Sequence, residues 1–271
     1  MAILKNTTVN GTGAVILPVG TTAQRSATPA TGELRFNSTF NTVEYYNGAI
    51  WRYYPGIINN SLDIYLDAGE PASYSGTGTT WTDLSGNDNT CTLVDGVGYS
   101  TNNGGALVFD GTNDAVEISS IDLRRNFTYE CWARHDTVSG FAFLGQGTNT
   151  SNAGLNIWMS DADTVRFGMV SNDMEAASIT TATSTWYQYC FTYNHTTFVK
   201  EIYRNALRLP GIPQSTPLAY TGTGTLRIGA TFSTGGDYAN GLIASARIYN
   251  RVLGSAEIEM NFNSLRGRYG I

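Results

Sequence analysis

Phe127-Thr128-Tyr129-Glu130-Cys131-Trp132-Ala133 is a strand-length run rich in aromatic side chains, set between polar residues at Asn126 and Asp136-Thr137. Working outward from it, runs of similar length recur at 62–66, 106–109, 116–118, 141–144, 155–159, 165–170, 186–193, 198–204, 226–228 and 241–249. Gly, Asn, Asp and Thr separate them, and short strands with turn residues at this spacing predict a two-sheet sandwich. Only 255–262 reads as a helix, with Ser255 as the N-cap and Ile258 and Phe262 four apart on one face.

Composition agrees. The chain has 271 residues, room for one large β domain and a smaller piece. Gly, Ser, Thr and Asn make up about 40% of it, and only 14% of residues are charged, so long amphipathic helices are excluded. At 41% hydrophobic, with 16 Tyr, 11 Phe and 5 Trp, the chain can bury a core. A net charge of −6 with scattered arginines argues against a nucleic-acid partner. No apolar stretch is long enough for membrane insertion, and the opening Met1-Ala2-Ile3-Leu4-Lys5-Asn6 does not read as a secretory signal. Cys91, Cys131 and Cys190 are odd in number and far apart, without zinc spacing, and are expected as buried free thiols of a chain assembled in a reducing cytoplasm.

Residues 1–57 have a different texture. The apolar run 15–20 stops at Pro18 and Gly20, a polar connector follows to Thr31, and 33–37, 42–46 and 50–54 read as a three-stranded meander. Asn47-Gly48 is a hairpin turn of the favoured kind. So small a meander buries little by itself, which makes it an expected assembly module needing a partner surface or symmetry mates. Its expected interface residues are Val15, Leu17, Leu34, Phe36, Tyr45, Tyr46 and Trp51. Residues 58–61 are expected as a linker and 62–271 as the large domain.

Two resemblances follow. Leu17-Pro18-Val19-Gly20-Thr21-Thr22-Ala23-Gln24-Arg25, Gly32-Glu33-Leu34-Arg35-Phe36-Asn37 and Val43-Glu44-Tyr45-Tyr46-Asn47-Gly48 with Trp51 resemble a segment of tailed-phage, cyanophage-like virion proteins, departing at Ser26 where Pro is usual. That implies a non-enzymatic virion structural protein, a short fibre, appendage or capsid-decorating subunit. It would be assembled in the host cytoplasm, displayed on the virion surface, and homo-oligomeric, with a homotrimer contacting other virion proteins as the expected form. From Leu62 onward the chain is similar to the laminin-G-like, concanavalin A-like jelly roll. The carriers are Phe109-Asp110-Gly111-Thr112-Asn113-Asp114, the run 127–133, Trp186-Tyr187-Gln188-Tyr189, and Arg247-Ile248-Tyr249-Asn250-Arg251-Val252-Leu253 with Glu257-Ile258. The expected fold is thus an all-β jelly-roll sandwich preceded by a small β-meander, and the alternative function is an adhesin recognising host-surface glycans, with calcium as a possible aid.

Chemistry is sparse. A sandwich glucanase needs two carboxylates about 5 Å apart, and no E-x-D-x-x-E run exists; Glu117, Asp122 and Glu130 stand isolated, and Asp161 and Asp163 sit in a turn. No catalytic residue and no required cofactor is therefore assigned. Asp83 and Asn87 in one loop, and Asp110, Asn113 and Asp114 in another, are candidate calcium ligands, with Asx-turn chemistry as the competing reading. Tyr74, Trp81, Tyr99, Trp158, Tyr220 and Tyr238 lie in or near loops and compete between packing and sugar stacking, so the glycan-binding residues stay unassigned. The tail after Asn261 either closes the sandwich or touches a neighbouring subunit.

Overall fold

A computed structural model describes residues 15–38, 42–46, 48, 51–53, 56–119, 121–213, 218–232 and 236–271. The chain forms two compact units, Met1–Gly56 and Ile57–Ile271.

In the first unit β1 (Val19–Gly20), β2 (Leu34–Asn37), β3 (Thr42–Tyr46) and β4 (Trp51–Tyr53) form one sheet in chain order. The strand expected over 15–20 shrinks to two residues, parallel to β2. Pro18 accepts from Phe36 N–H at 2.8 Å but has no N–H to give, so the ladder begins after it. Strand alternation puts Arg35, Asn37 and Glu44 on one face and Leu34, Phe36 and Tyr45 on the other, with Leu34 opposite Tyr45.

The second unit contains β5 (Leu62–Asp67), β6 (Cys91–Val94), β7 (Gly98–Ser100), β8 (Ala106–Asp110), β9 (Ala115–Ile118) and β10 (Phe127–His135). It continues through β11 (Phe141–Gly147), β12 (Gly154–Asp161), β13 (Thr164–Met169), β14 (Met174–Ala176) and β15 (Trp186–Tyr193). Then come β16 (Lys200–Arg204), β17 (Leu207–Leu209), β18 (Ile212–Pro213), β19 (Leu226–Ile228), β20 (Asn240–Tyr249) and α1 (Ser255–Leu265). One sheet has the order β17-β16-β15-β10-β20-β8-β7, with β5 also beside β20; the other runs β18-β14-β13-β12-β11-β19-β9-β6. Alternate residues of both sheets face inward, and Phe127, Tyr129, Phe143, Ile157, Phe167, Phe191 and Ile248 meet in one apolar core. All three cysteines are buried and unpaired, as their surroundings predict.

The first sheet is covered on its outer side. Trp132 on β10 stacks on Phe262 of α1 and on Tyr269, with ring centroids 5.7 and 4.2 Å away, and Trp186 packs against Tyr269. Beneath this cover Glu130 accepts from Gln188 at 2.6 Å and from Asn261 at 2.5 Å, and faces Arg247. The tail thus closes the sandwich. Asn261 Oδ1 also takes the Ile58 N–H at 2.8 Å, so Ile58, expected in a linker, is a buried part of the second unit. The N-cap is Gly254 rather than Ser255, because Glu257 reaches back to the Gly254 N–H at 2.9 Å while Arg251 clamps that carboxylate from both nitrogens.

Candidate functional site

Among the described residues no helix covers the outer side of the second sheet, and its side chains follow from the strand period. On β12 Leu155, Ile157 and Met159 point into the core, which turns Asn156, Trp158 and Ser160 outward. Across the sheet Trp158 is in register with Arg166, and Arg166 with Glu175. The Arg166 guanidinium lies 5.5 Å from the Trp158 ring centroid and bonds Glu175 at 2.7 Å, which fixes the partly exposed indole against a charged clamp. Two residues along, Asn156 is opposite Gly168 and Gly145, neither of which carries a side chain. A Cβ on Gly168 would come within 3.0 Å of Trp158 and 2.7 Å of Asp173. At Gly145 a Cβ would strike the backbone of Thr231 and Phe232 at 2.4–2.5 Å. The segment after β19 therefore crosses the sheet here, and Phe232 N–H donates to Asn156 Oδ1 at 3.2 Å. Trp158, Arg166, Glu175, Asn156 and the Phe232 backbone line a shallow polar face with one aromatic surface. The face offers one aromatic surface flanked by an amide, a guanidinium and a carboxylate.

Further along the same sheet Arg227 bonds Glu117 at 2.9 Å. Asp122 is held by Arg124, which pulls its carboxyl down to about 2, and Asp161 accepts the Asp163 N–H at 2.9 Å. Glu130 lies under α1, where burial raises it to about 7. Each of these acids has a structural partner.

The candidate calcium residues fall into two separate loops. Asn89 precedes β6 and Asp95 follows it, so the Asp83 loop and the Asp110–Asp114 loop sit at opposite ends of that strand. Asp83 accepts from Tyr65 N–H, Ser85 N–H and Oγ, and Asn89 N–H and Nδ2, a set that outweighs burial and lowers its pKa. Asn87 ties the loop to Leu62 and Asp63 carbonyls. Asp110 Oδ1 caps Thr112 N–H at 2.7 Å, and Asn113 is exposed. Asp114 Oδ2 accepts the Asp110 N–H at 2.9 Å while its Oδ1 is buried without a partner among the described residues, and burial raises its pKa. Calcium takes six to eight oxygens. The Asp83 carboxylate is already used by the fold, the second loop offers one free buried oxygen, and no cluster of three His, Cys, Asp or Glu placed for a metal occurs among the described residues.

Of the candidate aromatics Trp81, Tyr74 and Tyr220 are core, Tyr99 packs on Tyr74, Tyr238 is half-buried in a bridge with Ala230, and Trp158 alone has the clamp just described. The seven expected assembly residues are all described: Val15, Leu34 and Tyr45 are exposed, and Leu17, Phe36, Tyr46 and Trp51 are partly so.

A family described as the concanavalin A-like lectin/glucanases superfamily, of the Laminin_G_3 type, matches residues 110–259, more than half of the chain. The chain belongs to this superfamily. No curated protein matches it. Among solved structures, the superfamily sandwich of this chain is similar to the binding domain of botulinum neurotoxin DC in complex with rat synaptotagmin II. There the TM-score is 0.56 and identity 16%, over 77% of this chain and 52% of that one. It is also similar to domain 4 of AbnA, a GH43 extracellular arabinanase from Geobacillus stearothermophilus, in complex with arabinotriose. That match has a TM-score of 0.56 and 13% identity, over 76% of this chain and 98% of that one. The botulinum neurotoxin type G receptor binding domain matches with a TM-score of 0.54 at 12% identity, over 75% and 51%. The chain spans about half the length of the neurotoxin domains, and at such identities the likeness is one of fold. Sequence reasoning missed Arg166, Glu175 and Asn156 of this superfamily member's open face. Their signal was the outward half of the alternation on β12–β14, legible only once the strands are aligned.

Proposed function

We propose that this protein is a non-enzymatic surface adhesin of a virus particle, whose jelly roll binds glycans through the open sheet and whose first unit joins copies of the chain. The observation that carries the binding half is the asymmetry of the two outer faces: α1 and Tyr269 shield one, while the other presents Trp158 with Arg166, Glu175 and Asn156. Sugar rings stack on an indole face, and the flanking amide and carboxylate match hydroxyl groups. The complex of AbnA domain 4 with arabinotriose supports this reading as a single domain of nearly the same extent. Titration of the full chain against a panel of neutral and acidic oligosaccharides tests it. Binding that Trp158→Ala weakens about tenfold or more, with unchanged thermal unfolding, is the expected result. A Trp158→Ala protein that binds like the parent sinks the assignment, and release of reducing sugar from a polysaccharide overturns the non-enzymatic half.

A second reading, a purely structural virion subunit, draws on the first unit. Val19, Leu34 and Tyr45 are exposed on one face of its sheet, an apolar surface that a second and third copy of the same unit would cover. The three buried free thiols suit assembly in a reducing host cytoplasm.

A further inference from the structure

A pocket of about 190 Å³ opens at the margin of the sandwich, where the β13–β14 turn approaches the start of β16. Its walls include Asn172, Asp173, Met174, Phe198, Lys200 and Pro213. Lys200 is one of two lysines in the chain and is 7% exposed. Its ammonium donates to the Asn172 backbone carbonyl and to Asn172 Oδ1, the latter at 3.0 Å, and lies 5.8 Å from the Phe167 ring centroid. All of these partners are neutral. No carboxylate among the described residues pairs with it, and the remaining residues contain no Asp or Glu. Asp173 on the turn acts only through space, and the Arg208 on the pocket wall is engaged with Glu201 at 2.7 Å.

A buried lysine ammonium without a counter-charge is unfavourable, and burial brings its pKa down to about 8. A purely structural strut between the two sheets accounts for the Asn172 bonds but leaves one ammonium proton and the charge unanswered. Phe198 on the pocket wall, and Val170 and Ser171 just before Asn172, have φ of 60°, 35° and 60°, left-handed values that side-chain-bearing residues adopt less readily than glycine.

We propose that this pocket takes the carboxylate of a small organic acid, with Lys200 as its counter-ion and Met174, Phe198 and Pro213 against its apolar flank. The volume is below the roughly 300–1,000 Å³ of drug-sized sites, which limits the ligand to a single ring or a short chain. The site does not depend on the glycan reading of the open sheet. Both an acidic sugar residue and a short aliphatic acid carry the required group.

With only two lysines, full-length protein made with ¹³C-lysine gives two side-chain signals, and Lys5 serves as the internal control. Glucuronate, butyrate and glucose are titrated separately. The expected result is a saturable movement of the Lys200 Cε signal with at least one acid, an upward shift of its pH midpoint, and no response to glucose. A response to glucuronate alone identifies the acidic sugar, and one to butyrate alone the aliphatic acid. Lys200→Met weakens the binding by about ten- to a hundredfold, and Asp173→Asn, which leaves the Asn172 bonds intact, tightens it. Failure of both acids to move Lys200, or an equal effect of glucose, overturns the proposal; this wild-type titration decides it even if Lys200→Met does not fold.

Discussion

Among the described residues of the unit ending at Gly56, the side chains shut away from water are Arg35, Asn37 and Glu44, while Val15, Ile16, Val19, Leu34 and Tyr45 stand in solvent. In the unit from Ile57 onward the burial is ordinary: some forty apolar residues form one core, and the ionic pair Glu130–Arg247 is confined to the layer beneath α1. The same strand alternation operates in both. What differs is which half of the alternation finds partners within its own unit. Glu44 collects Arg25 at 2.6 Å, Arg35 at 3.5 Å and the Asn37 amide at 2.9 Å, with both guanidinium groups near the Trp51 ring. A small sheet held by such a network is specified more by geometry than by hydrophobic burial.

The largest effects expected from substitutions follow from this contrast. Trp132→Ala empties the space between β10, Phe262 and Tyr269 and is expected to destabilise the second unit by about 3–5 kcal/mol, read by denaturant unfolding. Glu44→Gln leaves two arginines without their carboxylate and is expected to cost the first unit about 3 kcal/mol. Hydrogen exchange places that loss: amides of β2 and β3 lose protection while those of β10 and β20 keep theirs. Equal loss in both units would break the division drawn between them.

Leu34→Ser with Tyr45→Ser is expected to change stability by no more than about 0.5 kcal/mol per site, since both are exposed, yet to reduce the mass seen by light scattering from oligomer to monomer. A full-length protein that is monomeric before substitution would remove the self-association reading. Next comes pH. His135 is buried against Phe141 and Phe143, and burial depresses its pKa from 6.5 to about 3. The unfolded chain takes a proton that the folded one refuses, so stability is lost as pH falls from about 6.5 towards 3. Glu130, raised by burial from 4.5 to about 7, works the other way, and its contribution is lost as pH rises through that interval. His135→Phe should therefore flatten the acid limb of a pH–stability curve, and Glu130→Gln the opposite slope. The smallest effect concerns calcium. Little change in unfolding temperature is expected on adding calcium or a chelator, because Asp83 is saturated by its own loop. A shift that Asp114→Asn abolishes would place an ion at the 110–114 loop.

Much of the second unit was legible because strand length, turn residues and the motifs around Trp132, Trp186 and Arg247 are local properties of the chain. The strands left unread, β6, β7, β14, β17 and β18, are two to four residues long and owe their existence to neighbours in a sheet rather than to their own composition. Strand β16 begins two residues later than expected because Phe198 takes a left-handed turn. Residues 39–41, 47, 49–50 and 54 of the meander, Asn47 of the expected hairpin turn among them, lie outside the described residues.

The sequence by itself determined the all-β class, the two textures of the chain, the free cysteines and the helix near the end, since each depends on composition or on periodicity within a few residues. Which sheet would be covered, which aromatic would meet solvent, and that Lys200 would end without a counter-charge were decided by tertiary structure. These depend on contacts between residues far apart in the chain: Tyr269 on Trp132, Arg166 on Trp158, and Lys200 on Asn172. A one-dimensional pattern shows that a side chain faces outward from its strand; only the packed sheets show what, if anything, lies above it.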